Sequence, residues 1–228
     1  MHSKNGNLLQ RMNPGSSMRP ASCIDSDAAN IREQAAKLTR SHRQQRDQAR
    51  NIFDFVRDEI VYNFAPDVKE RKDFRASHTL AMGNGFCMQK GALFAALCRA
   101  AGIPARVGFQ DVADYKIVGP FFKLMGGNEL IHHGMSAVYL DGRWIRVDCT
   151  LDRGLCERKN YRLVEFDGKN DALLPETDRD GKPHFNIMKQ SGFYNDTPLF
   201  AINSMLYWIK KIPYGDWRRL VHGKDGSM

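Results

Sequence analysis

The chain has 228 residues, 42% hydrophobic and 26% charged, with a formal net charge of +8; that length builds one sizeable core, and the composition excludes a disordered or fibrous protein. The apolar run Ala92 to Leu97 is far too short to cross a bilayer, and the N-terminus lacks the apolar stretch of a secretion signal, so a cytoplasmic protein with no membrane partner is expected. Five cysteines without tight spacing exclude a disulfide framework, and Cys149 and Cys156 are not spaced as a zinc knuckle.

The basic excess raises the question of an acidic partner. The densest basic run, Arg40 to Arg50, has no interleaved aromatics to stack on bases, and acidic residues return directly after it. It reads as a solvated helix face, and no nucleic-acid partner is expected, although a basic surface can steer an anionic substrate.

Taken in order, residues 1–24 mix Asn, Gly, Ser and Pro without periodicity and read as a flexible N-terminal tail. Residues 25–228 read as a single domain, with a core over 25–151 and a C-terminal helical extension over 152–228. A helix is signalled from Asp25-Ser26, with Ser26 as its cap and Ala28, Ile31, Ala35 and Leu38 at helical spacing. A second helix carries Ala49, Ile52, Phe53, Val56 and Ile60 on one stripe. After a polar connection, Ser77 caps a short turn holding His78, which reads as a partly exposed histidine.

Two glycines, Gly83 and Gly85, make a bend before Cys87, where a helical pattern begins; Gly102 and Pro104 end it. Nearly every position from Cys87 to Ala101 is small or apolar, so the helix is expected to be buried on most sides. Cys87 sits at its N-terminus, where unpaired N–H groups and the helix dipole favour a thiolate. Cys98, farther along the same face, reads as core.

Ala105 to Val112 alternates as a strand, and Ala113 to Leu130 reads as a long loop at a substrate cleft. Asp141-Gly142 between two strand-like runs predicts a hairpin with a two-residue turn. That register sets Leu140 opposite Arg143, Tyr139 opposite Trp144 and, counting outward, Met135 opposite Asp148. His133 is then diagonal to Asp148, an imidazole beside a carboxylate on a rigid sheet. Val138, Leu140, Ile145, Val147 and Cys149 form the opposite, core-facing side, and His132 reads as structural.

Beyond Leu151 the chain turns loop-like, with turns at Asp167-Gly168 and Asp180-Gly181. Asp178 to Gly181 matches only part of a calcium loop, and no metal or other cofactor is expected. A last helix starts at Thr197-Pro198 and runs to Pro213.

Cys87, His133 and Asp148 together make a candidate catalytic set. A cysteine attacks a carbonyl as thiolate, a histidine moves the proton, and an acid orients the histidine. The run GNGFCMQKGALFAALCRAAGIPARVGF, then HGMSAVYLDGRWIRVDCT, with IFDFVRDEIVYNF upstream, resembles the transglutaminase-like superfamily of papain-related cysteine enzymes. The likeness covers roughly residues 25–151. It puts Cys87, His133 and Asp148 on the family's triad and departs at Met135, Ala137 and Cys149, where members often carry Trp, Glu and Pro.

The resemblance implies an α+β fold, in which N-terminal helices and a buried cysteine-bearing helix pack on an antiparallel sheet. It also implies acyl transfer from an amide through a thioester, of peptidase, amidase or transglutaminase type, on a peptide, protein or small amide. Two other readings stand beside it: a non-catalytic binding or scaffold module of the same fold, and an arylamine acetyltransferase-like acyltransferase. The cysteine-bound thioester separates the first from the others.

Overall fold

The computed structural model describes residues 8–64 and 68–211. Helix α1, Ala29–Thr39, buries Ile31 and Ala35. It begins at Ala29, with Ala28 and not Ser26 at the cap position and no side-chain cap; Asp25 instead holds Ser77, its carboxylate accepting the Ser77 backbone N–H at 3.1 Å and the Ser77 hydroxyl at 2.5 Å. Helix α2, Gln45–Asp58, buries Ala49, Ile52, Phe53 and Val56, the expected stripe.

Strand β1, Val61–Tyr62, follows; helix α3, Ala76–Met82, starts one residue before Ser77 and ends on Gly83 at φ 65°, the left-handed stop that glycine accepts freely. Strand β2, Asn84–Gly85, pairs in parallel with β1, Tyr62 opposite Gly85. That pair fixes the approach to helix α4, Cys87–Ala100, of which every residue from Cys87 to Arg99 is buried.

Strand β3, Ala105–Asp114, leads to helix α5, Gly119–Met125, then β4, Glu129–Leu140, and β5, Arg143–Val147. The segment expected as a loop over 113–130 is therefore shorter. Strand β3 runs on to Asp114, and α5 closes on Gly126 in the left-handed conformation. Helix α6, Arg153–Arg158, strand β6, Phe185–Tyr194, and helix α7, Leu199–Lys211, complete the described elements. The expected stop at Pro213 lies outside the described residues.

The fold is α+β: helices against a four-stranded antiparallel sheet of order β5-β4-β3-β6. The hairpin register is as expected, Tyr139 opposite Trp144 and Leu140 opposite Arg143. The expected helical extension over 152–228 is corrected, because β6 within it is a full strand of the sheet, with Val107 opposite Tyr194. Its sequence lacks clean alternation since it is an edge strand, interrupted by two register shifts.

Helix α4 lies on β4. Ser136 Oγ donates to Gly91 O at 2.9 Å, and a Cβ on Gly134 would stand 2.6 Å from Met88 Cα, so only glycine lets strand and helix approach this closely. Val138, Leu140, Ile145, Val147 and Cys149 join the main core with α4. Met135, Ala137, Trp144 and Phe193 form a second cluster, closed by Leu9.

The flexible-tail expectation is corrected for residues 8–24. Leu9 is buried in that cluster, Gln10 exchanges two hydrogen bonds with the Trp144 backbone at 2.7 and 3.0 Å, and Trp144 Nε1 donates to Met12 O at 3.0 Å. Arg99 donates to Arg19 O at 2.7 Å, and Asp196 accepts the N–H groups of Ser22, Cys23 and Ile24. These bonds to long-range partners satisfy an irregular backbone that has no periodicity of its own.

Two buried cations tie α2 in place. Arg57 bonds to Asp58 at 2.6 Å, Glu165 at 3.1 Å and Val164 O at 2.9 Å. Lys90 Nζ, fully buried, donates to Arg57 O at 3.0 Å and Ile60 O at 2.6 Å around the C-terminal end of α2, a favourable place for a cation.

Candidate active site

Cys87 is the first residue of α4. The Gln89 side chain accepts the Phe86 N–H at 3.3 Å, and the first intrahelical bond is Lys90 N–H to Phe86 O, so the N–H groups of Cys87, Met88 and Gln89 have no partner within the helix. Cys87 is 7% exposed, the most accessible of the five buried cysteines.

His133 on β4 is buried beside the Gly134 contact with α4. Its Nε2 lies 2.7 Å from Asp148 Oδ2. A carboxylate only accepts, so Nε2 carries the proton and Nδ1 faces the remaining chemistry. Burial by itself would lower the pKa of this histidine, but the charges of Asp148 and then of the Cys87 sulfur outweigh it and hold it up at about 10. Sulfur and ring therefore stand close enough to act on one another.

Asp148 does not reach His133 by the route expected. The ladder stops at Ser136 opposite Val147, so Met135 does not face Asp148. Past Val147 the chain leaves β4; the Asp148 N–H donates to Ala172 O at 2.7 Å, and Oδ1 accepts the Thr150 N–H at 3.1 Å. These bonds aim the second oxygen at the imidazole. All three candidate residues are thus brought together.

A sequence profile of the Transglutaminase-like superfamily matches residues 32–149, which include Cys87, His133 and Asp148. The chain belongs to the transglutaminase-like superfamily. That membership supports a cysteine-based enzyme. Searched against curated proteins, the chain has no match. Among solved structures it is similar to a candidate cysteine protease from Cytophaga hutchinsonii, at 20% identity over 83% of this chain and 59% of that one, TM-score 0.47. It is also similar to the periplasmic domain of TgpA from Pseudomonas aeruginosa, at 20% identity over 61% and 48%, TM-score 0.42. This transglutaminase-like chain spans 59% and 48% of the length of these two structures.

Two of the three departures from the family pattern find a local reason. Met135 and Ala137 pack in the cluster with Leu9 and Trp144, where the N-terminal segment covers the sheet. Cys149 is core, its Sγ 3.8 Å from Lys90 O, and burial pushes its thiol up to about 12. His78 is half-buried on α3 and His132 packs its ring 5.0 Å from Phe200. Among the described residues no three His, Cys, Asp or Glu side chains are grouped to hold a metal ion, and no helix is long and apolar enough to cross a membrane.

The sequence alone does not single out Asp114. Tyr62 is set beside Cys87 by the β1-β2 pair, and burial together with the charges of Cys87, Asp114 and Asp148 holds its phenol protonated. Asp114 ends β3, inside the segment read as loop. No local signal marks either residue, because parallel pairing across 23 positions and a strand's last residue leave no short-range pattern.

Proposed function

We propose that this protein is a cysteine acyl-transfer enzyme with Cys87 as nucleophile, His133 as proton carrier and Asp148 as the group that orients it. The observation that carries the reading is His133 itself, hydrogen-bonded to Asp148 at 2.7 Å and acted on by the Cys87 sulfur. The Cys87 proton passes to His133 Nδ1, and the sulfur attacks the acyl carbon. The carbon–nitrogen bond then breaks as the imidazolium gives its proton to the departing amine. Water or an amine attacks the resulting thioester while the imidazole takes its proton, and the carbon–sulfur bond breaks.

In this reading the Cys87 backbone N–H, free of any helical partner, donates to the developing oxyanion, with the protonated Tyr62 phenol as a second donor. Peptides, proteins and small amides are the substrate class this chemistry fits. Whether water or an amine resolves the thioester depends on the acceptor that reaches it.

The test uses p-nitrophenyl acetate as an acyl donor. The reading expects a burst of p-nitrophenolate and an acetyl group on the Cys87 peptide by mass mapping, discharged by water or faster by added glycinamide. A properly folded chain acetylated equally well after Cys87→Ala would overturn it.

A further inference from the structure

Beside these residues lies a cavity that the chemistry above leaves unused. Its volume is about 210 Å³, and its lining includes Tyr62, Asp114, Ile117, Leu151, Tyr161 and Phe185. Tyr62, on its wall, lies opposite Gly85, two residues before Cys87, and interacts with Cys87 and Asp148, so one wall residue of the cavity adjoins the candidate site.

The lining is largely aromatic and aliphatic; its charged groups are one carboxylate, Asp114, and the cations Lys116, Arg158 and Lys159. Asp114 is 5% exposed. Its Oδ1 accepts the Lys116 backbone N–H at 2.9 Å and stands 3.8 Å from His184 Nε2. Burial pushes His184 down to about 4, which makes that neighbour neutral. The Lys116 ammonium is committed elsewhere, 2.5 Å from Asp178 Oδ2. Among the described residues no Lys or Arg is ion-paired with Asp114. Burial accordingly lifts this carboxyl to about 6, against the opposing pull of the Lys116 N–H and the charges of His133 and Lys116. A buried carboxylate that no Lys or Arg pairs directly is costly, and a cationic ligand group in contact with it lowers that cost. Tyr62, Tyr161 and Phe185 add ring faces that attract a cation and cover its methylenes.

We propose that this cavity is a substrate subsite that takes an alkylammonium group, with the nitrogen on Asp114 and the carbon stem against Tyr62, Tyr161 and Phe185. Its place in catalysis rests on the reading of Cys87 given above. Arg158, exposed, and Lys159, half-exposed, also line the cavity and would meet a carboxylate or carbonyl on the outer part of the same ligand. An anionic group inside would face Asp114, so the cation belongs at the bottom and the anion at the mouth.

The experiment is a calorimetric titration of the full chain, of Cys87→Ala and of Asp114→Asn with n-pentylammonium, glycinamide and n-pentanoate. Asp114→Asn keeps the acceptor for the Lys116 N–H and removes only the charge. The expected result is equal n-pentylammonium binding by the parent and Cys87→Ala, and binding weaker by about tenfold or more in Asp114→Asn. Tighter binding of glycinamide than of n-pentylammonium, equally lost in Asp114→Asn, would assign the ammonium to a peptide terminus in place of a side chain. If Asp114→Asn does not fold, Tyr161→Leu is the second variant, expected to weaken n-pentylammonium and leave n-pentanol unchanged. Binding unaffected by Asp114→Asn overturns the proposal, as does n-pentanoate binding better than n-pentylammonium with that preference lost in Arg158→Glu. Cys87 acetylation is read separately: a chain that acetylates but binds no ammonium sinks the subsite alone, and a chain that binds ammonium but never acetylates sinks the subsite's role in catalysis.

Discussion

His133 Nε2 and Asp148 Oδ2 lie 2.7 Å apart although the ladder that carries them ends at Val147, one residue short of the carboxylate. The carboxylate is aimed by a turn, through the Thr150 N–H and Ala172 O, and not by the sheet. Asp148→Asn keeps the shape but no longer supplies the charge that holds the imidazole protonated and oriented. Acetylation of Cys87 by p-nitrophenyl acetate is expected to slow roughly 10²- to 10⁴-fold, with unfolding by heat changed far less. An unchanged acylation rate would remove Asp148 from the site.

The same pair makes stability depend on pH. His133 is held at about 10 in the fold against 6.5 in the unfolded chain, so folding favours its protonated form. That contribution is fully present below 6.5 and is lost as pH rises toward about 10. The Tm difference between the parent and His133→Ala should therefore be largest in mild acid and shrink across that window. A difference that grows with pH would contradict the assignment.

Gly134 is the closest approach of β4 to α4, and a Cβ there would lie 2.6 Å from Met88 Cα and 2.8 Å from Met88 N. Backbone cannot give way as a side-chain tip can. Gly134→Ala is expected to cost about 1–3 kcal/mol, a Tm drop of roughly 2–12 °C for a domain of this size. Because His133 is adjacent, acylation of Cys87 should fall further than stability does. Thermal melts and acylation rates on the same preparation check both halves.

The N-terminal segment offers a prediction that its composition does not. Leu9 is 2% exposed against Met135, Ala137, Trp144 and Phe193. Leu9→Ala should lower stability by about 2–5 kcal/mol, as for other buried leucines. Chemical denaturation measures it, and a change near zero would mean that residues 8–24 do not hold the sheet in solution.

These particulars show what could be read in the chain and what could not. The cysteine helix was legible because its glycine bend, apolar faces and glycine–proline stop all fall within some twenty residues. The Asp141-Gly142 turn fixed the hairpin register for the same reason. The encounter of His133 with Asp148 was reached correctly but through the wrong geometry, since the departure of the chain after Val147 depends on Ala172, 24 positions downstream of Asp148. Residues 8–24 and strand β6 were missed because their backbones are satisfied by distant partners, and distant partners leave no period in the sequence. Asp114 became noticeable only once β6 and Tyr62 closed a cavity around it.

The account stands most directly on the thiol of Cys87. Burial pushes Cys23 and Cys156 up to about 11 and Cys149 up to about 12, and raises Cys98 as well. Limiting iodoacetamide, read by peptide mass mapping as pH is lowered from neutral to mildly acid, compares all five thiols within one sample. The account predicts that Cys87 alone is alkylated, remains reactive on the acid side, and loses that reactivity in His133→Ala. Alkylation of Cys87 as slow as that of Cys98, and indifferent to His133, would contradict it.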